Sequence, residues 1–130
     1  MDIDDLVVIA YKAALEKGFT QLGKPRTLEE HVALLVTELG EMFECQRDGM
    51  LPYEVKYLHK GRTGPDRITR TDGHELDEEE PEPIGVPVEL ADLVIRAANM
   101  AGEYGINLSD VIAMKLRYNQ RRPHLHGRQA

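Results

Sequence analysis

The chain has 130 residues, 42% of them hydrophobic, which fits one domain with a buried core. Acids outnumber bases 23 to 16, a formal net charge of −7, and this excludes the broad basic surface that a general nucleic-acid coat requires. The lone Cys45 cannot build a disulfide framework, Asp2, Asp4 and Asp5 stand where a secretory signal carries positive charge, and no apolar run approaches the roughly 20 residues that cross a bilayer, so a cytoplasmic protein with no membrane and no nucleic-acid partner is expected.

Leu6, Val7, Ala10, Ala14 and Leu15 recur at helical spacing and predict a first helix over residues 3–17, with Gly18 as its stop. Gly23, Lys24 and Pro25 then break the chain. Thr27 and Glu30 form a capping-box pair, in which each side chain satisfies the other's exposed backbone donor, so a second helix starts there and runs to about Arg47. Its apolar stripe is Leu28, Val32, Leu35, Leu39, Met42 and Phe43. Over residues 48–85 the periodicity is lost and glycines and prolines punctuate the chain, which predicts a long loop insertion. Its acidic run over residues 75–82 is too polar to bury, so the insertion is expected to be mobile. Residues 54–60 and 67–71 alternate on either side of a Gly-Arg-Thr-Gly-Pro turn, the pattern of a short hairpin. Pro87 suits the first turn of a third helix, because its missing N–H would be unpaired there in any case, and Gly105 ends that helix after Tyr104. Asn107 caps a fourth helix that runs to about Gln120, with Pro123 beyond it.

Four acids stand out. Glu38 and Glu41 share one face of the second helix, and Glu89 and Asp92 share one face of the third. Leu35, Leu39, Leu90, Leu93, Val94 and Ala97 lie beside them, which places the acid faces at the edge of the buried interface. Four carboxylates converging between two helices repel one another unless a hard cation sits among them, and Mg²⁺, or Mn²⁺ in its place, takes oxygen ligands of this kind. On the residues alone, acids spaced along solvated helix faces are an equal alternative.

Thr37-Glu38-Leu39-Gly40-Glu41, followed by Gly85-Val86-Pro87-Val88-Glu89-Leu90-Ala91-Asp92, resembles the split acidic motif of the MazG-like all-α nucleotide pyrophosphohydrolases. Gly105-Ile106-Asn107-Leu108, Lys115, Tyr118-Asn119, Arg122-Pro123 and His126-Gly127 are similar to the family's ending. The resemblance covers about residues 28–47 and 85–128; the first helix matches only in type. It implies an all-α, four-helix antiparallel arrangement completed by oligomerisation as a homodimer or homotetramer. It also implies Mg²⁺-dependent hydrolysis of a nucleoside triphosphate to the monophosphate and pyrophosphate. Glu38, Glu41, Glu89 and Asp92 fall on the family's metal positions, and Lys115 and Asn119 on positions that contact phosphate or sugar. Arg122 adds a cation to that end of the fourth helix, and Glu38 or Glu41 is the candidate base. The chain departs from the family at Thr37 and Val88, where paired glutamates are common, and in the length of its insertion, which is expected to close over bound nucleotide.

Arg96, one turn after Asp92, is expected to pair with it locally, and Asn99 on the same face to reach substrate or bridge helices. His31 and Cys45 read as packing residues, and His124 and His126 lack zinc-like companions. Two other functions fit the same features: a non-catalytic helical oligomer with the acids as a solvated face, and a metal-dependent phosphohydrolase of another phosphorylated metabolite.

Overall fold

The computed structural model of the protein describes residues 1–59, 67–69 and 81–124. Four helices carry most of them: α1 (Ile3–Glu16), α2 (Leu28–Arg47), α3 (Val86–Tyr104) and α4 (Leu108–Arg121). Between α2 and α3 the chain forms three short strands, β1 (Lys56–His59), β2 (Arg67–Thr69) and β3 (Glu82–Ile84). Among the described residues no helix is long and apolar enough to cross a membrane. Local chemistry sets the helix ends. The Thr27 hydroxyl accepts from Glu30 N and the Glu30 carboxylate accepts from Thr27 N, both at 3.2 Å, and Asn107 caps α4 by accepting from Asp110 N at 3.2 Å. Gly18 and Gly105 follow α1 and α3 at φ of 77° and 65°, a left-handed conformation that strains most other residues.

The chain divides into two compact units, one of Met1–Arg26 with Ala97–Ala130 and the other of Thr27–Arg96. In the first, α1 packs against α4. Among the described residues, the unit's buried apolar side chains are small, Ala10, Ala14, Ala98 and Ala101. Small side chains let helices approach closely, and a Cβ added at Gly102 would lie 2.7 Å from Tyr11 Cβ. The link from α1 to α2 is pinned by polar contacts. Thr20 Oγ1 donates to Glu103 Oε2 at 3.0 Å, Arg26 N donates to Glu103 Oε1, and Tyr104 Oη donates to the Arg26 carbonyl at 2.8 Å. Asn99 Nδ2 donates to Thr20 Oγ1 at 3.4 Å, so Asn99 holds this link within its own unit.

The second unit contains α2, the sheet and the first part of α3. The sheet order is β2-β1-β3, antiparallel throughout, with Leu58 opposite Ile68 on one side and opposite Glu82 on the other. The expected hairpin is therefore present as β1 and β2. The reading of residues 48–85 as a loop insertion is corrected, because the segment builds a sheet and β3 was not foreseen. The physical reason is that Glu82-Pro83-Ile84 carries no strand periodicity of its own, and β3 exists through its pairing with β1. As an edge strand it tolerates Pro83. The turn over residues 60–66 and the acids of residues 75–80 lie outside the described residues, as do His126 and Gly127.

Gly85 joins this sheet to α3 at φ 132°. A Cβ there would collide with the Glu54 carbonyl oxygen and lie 3.1 Å from Met50 Cε. Its own carbonyl accepts from Val88 N and Glu89 N at 3.1 Å each, so this turn sets the first turn of the helix that presents Glu89. Gly85→Ala is expected to cost about 2–3 kcal/mol in urea unfolding, from a strained backbone plus the clash. A cost under about 1 kcal/mol would show that the turn relaxes freely.

Candidate metal centre

All four acids singled out by the sequence belong to the second unit. On α2, Glu38 and Glu41 follow each other by one turn, and α3 presents Glu89 and Asp92 in the same way. Glu38, Glu89 and Asp92 each offer a carboxylate oxygen, and these three atoms lie within 4.8 Å of one another. Glu41 stands beside the triple, near enough that its carboxyl influences both Glu89 and Glu38. Glu38 is deeper than an interface edge, only 2% exposed, while Glu41, Glu89 and Asp92 are half-buried.

Burial and the crowding of like charges show in the acids' proton affinities. Burial, followed by the neighbouring Glu41 and Glu38, pushes the Glu89 carboxyl up to about 8. Asp92 is raised by burial and by Glu38, with Arg96 opposing. Burial acts to raise Glu38 too, but the Arg96 guanidinium and a hydrogen bond shared with Glu89 outweigh it and hold Glu38 below the usual carboxylate range. Burial and the nearby Glu89 raise the Cys45 thiol, which leaves it a poor nucleophile.

The partner of Arg96 differs from the expected one. Its Nε donates to Glu38 Oε1 on α2 at 2.5 Å, rather than closing a local pair with Asp92. Spacing along one helix reveals only local neighbours, so the cross-helix partner was not legible. Among the described residues, two buried carboxyl oxygens, Glu38 Oε2 and Glu89 Oε2, have no hydrogen-bond partner. Buried carboxyl oxygens left without a partner are costly, and a cation bound there would favour the ionised form of Glu89 as well as of Glu38. The donor set is all oxygen, the kind that Mg²⁺ and Mn²⁺ accept.

Lys115, Asn119 and Arg122 lie in the first unit. Lys115 Nζ sits 4.8 Å from the Tyr118 ring centroid and the Arg122 guanidinium 5.8 Å from it, so two cations lie near one aromatic ring. Asn119 is exposed on the same helix, and its carbonyl accepts from Arg122 N at 3.3 Å. His31 is buried at the start of α2, as a packing residue would be.

Compared with known proteins, the chain matches no family model, no curated protein and no solved structure.

Proposed function

We propose that this protein is a Mg²⁺-dependent nucleotide pyrophosphohydrolase of the MazG-like type, acting on nucleoside triphosphates. The observation that supports the reading is the pair of buried oxygens without partners among the described residues, Glu38 Oε2 and Glu89 Oε2, where the carboxyl groups of Glu38, Glu89 and Asp92 converge. Glu38, Glu89 and Asp92 would hold the ion, since each brings an oxygen to one small volume. When bound, Mg²⁺ neutralises phosphate oxygens and makes a coordinated water acidic enough to attack near neutral pH.

The protein's own groups divide the remaining work. Glu38 is held by Arg96 and kept ionised, which suits a ligand better than a proton acceptor. Glu41 lies next to the triple and outside it, where it can take the proton of the attacking water. The water oxygen bonds to phosphorus, and the bridge between the α and β phosphates breaks, leaving the monophosphate and pyrophosphate. Phosphate and sugar contacts by Lys115, Asn119 and Arg122 are proposed from the resemblance of the sequence alone.

Self-association belongs to the same reading. Leu28, Val32, Val36, Leu39 and Phe43 run along α2 and are exposed, Phe43 by 66%. A contiguous apolar stripe of this kind marks an interaction surface, and a second copy of the chain is the occupant proposed.

One preparation tests both parts. With Mg²⁺ present, common nucleoside triphosphates are expected to yield pyrophosphate, chelation is expected to stop the release, and light scattering is expected to give a dimer or tetramer. Orthophosphate as the product would point to another phosphohydrolase. Neither product would favour a non-catalytic interaction protein, and a monomer at micromolar concentration would remove the self-association.

A further inference from the structure

We infer that Arg96 is a phosphate-binding residue of the candidate centre, gripping the polyphosphate chain beside the metal position; the inference rests on the reading of that centre given above. The Arg96 guanidinium acts on two of the three acids, Glu38 through a hydrogen bond and charge and Asp92 through charge. The Arg96 side chain is 37% exposed where that of Glu38 is 3% exposed, so it is open in part to solvent while one end holds a buried carboxylate. Only Nε is engaged, on Glu38 Oε1. The two terminal nitrogens of the fork make no hydrogen bond or ion pair among the described residues.

That arrangement is more than Glu38 needs in order to be neutralised. Anchoring through Nε fixes the plane of the guanidinium and leaves the end-on fork of its two terminal nitrogens uncommitted. A planar fork of this kind matches two oxygens of one phosphate, which a lysine ammonium cannot imitate. Because the anchor orients the fork beforehand, binding a phosphate costs little further side-chain freedom. An anionic chain approaching four carboxylates also needs positive charge beyond that of a single divalent ion, and Arg96 is already at the edge of the cluster. The ligand class is a di- or triphosphate, recognised through its non-bridging oxygens.

The test is calorimetric and does not depend on turnover. Mn²⁺ alone, then inorganic pyrophosphate added to the Mn²⁺-saturated protein, are titrated into wild type, Arg96→Lys and Arg96→Gln, each checked by a melting curve. Arg96→Lys keeps a cation for Glu38 and loses the fork. It is expected to bind Mn²⁺ as wild type does and to bind pyrophosphate about 10- to 100-fold more weakly, the range of one or two charge-assisted hydrogen bonds. Arg96→Gln is expected to lose at least as much. If both variants bind pyrophosphate as tightly as wild type and only Mn²⁺ affinity falls, Arg96 merely positions Glu38 and the inference is overturned. A wild type that binds no pyrophosphate overturns it as well. If pyrophosphate binding depends on Arg96 while wild type releases no pyrophosphate from triphosphates, the phosphate contact stands and the hydrolase reading falls.

Discussion

Glu89→Gln is expected to make the metal-free protein more stable at pH 8 and to abolish its stabilisation by Mg²⁺. The sign follows from the direction of the shift. Burial and the Glu41 and Glu38 carboxylates raise the Glu89 carboxyl from 4.5 to about 8, so the folded state holds a proton that the unfolded chain releases. Stability from this group is therefore complete below its unfolded value and is lost as pH rises from about 4.5 to about 8. Asp92 is raised and acts in the same sense. Glu38 is lowered, so its contribution is present above the usual carboxylate range and is lost only on acidification. Between pH 5 and 8, metal-free wild type should lose stability, by no more than about 5 kcal/mol for a shift of this size. A neutral glutamine in the same place avoids that loss, so the two melting curves should agree at pH 5 and separate at pH 8. Millimolar Mg²⁺ should raise the wild-type Tm at pH 8, because the ion binds only the folded carboxylates, and leave the variant unmoved. If wild type melts at the same temperature at both pH values and ignores Mg²⁺, the four acids are a solvated face and the metal reading is lost.

Glu38→Gln is expected to reduce kcat/KM for the best triphosphate by about 10³-fold or more, the scale of several kcal/mol that a metal contributes to stabilising phosphoryl charge. Glu38 is the deepest member of the triple and the one joined to Arg96, so the amide removes a ligand charge where no water can replace it. Mn²⁺ affinity should fall together with turnover. Glu41→Gln should behave differently, with kcat lowered by about 10²–10⁴-fold as expected for a lost general base, and Mn²⁺ binding largely kept. The contrast separates ligand from base. Equal loss of metal affinity in both variants would place Glu41 among the ligands, and full activity in a folded Glu38→Gln protein would move the chemistry elsewhere.

The helices were legible in the sequence because their signals are local. A capping pair such as Thr27 and Glu30 is complete within one turn, and a glycine such as Gly105 ends a helix through its own backbone freedom. The candidate site was legible for a related reason. Two acids one turn apart share a face wherever the helix goes, so Glu38 with Glu41 and Glu89 with Asp92 could be paired before any packing was known. The hairpin of β1 and β2 was readable from alternation, while β3 was not, because Glu82-Pro83-Ile84 becomes a strand only by lying along Lys56-Tyr57-Leu58.

By itself, then, the sequence determined which residues are helical, where the helices end and which acids share a face, since those properties depend on neighbours within about a turn. Only the tertiary structure decided that oxygens of Glu38, Glu89 and Asp92 meet within 4.8 Å, that Arg96 reaches Glu38 instead of Asp92, and that two buried oxygens are left without partners among the described residues. Those are relations between α2 and α3, separated in the chain by β1, β2 and β3, and no spacing along one helix contains the angle and offset at which another packs against it.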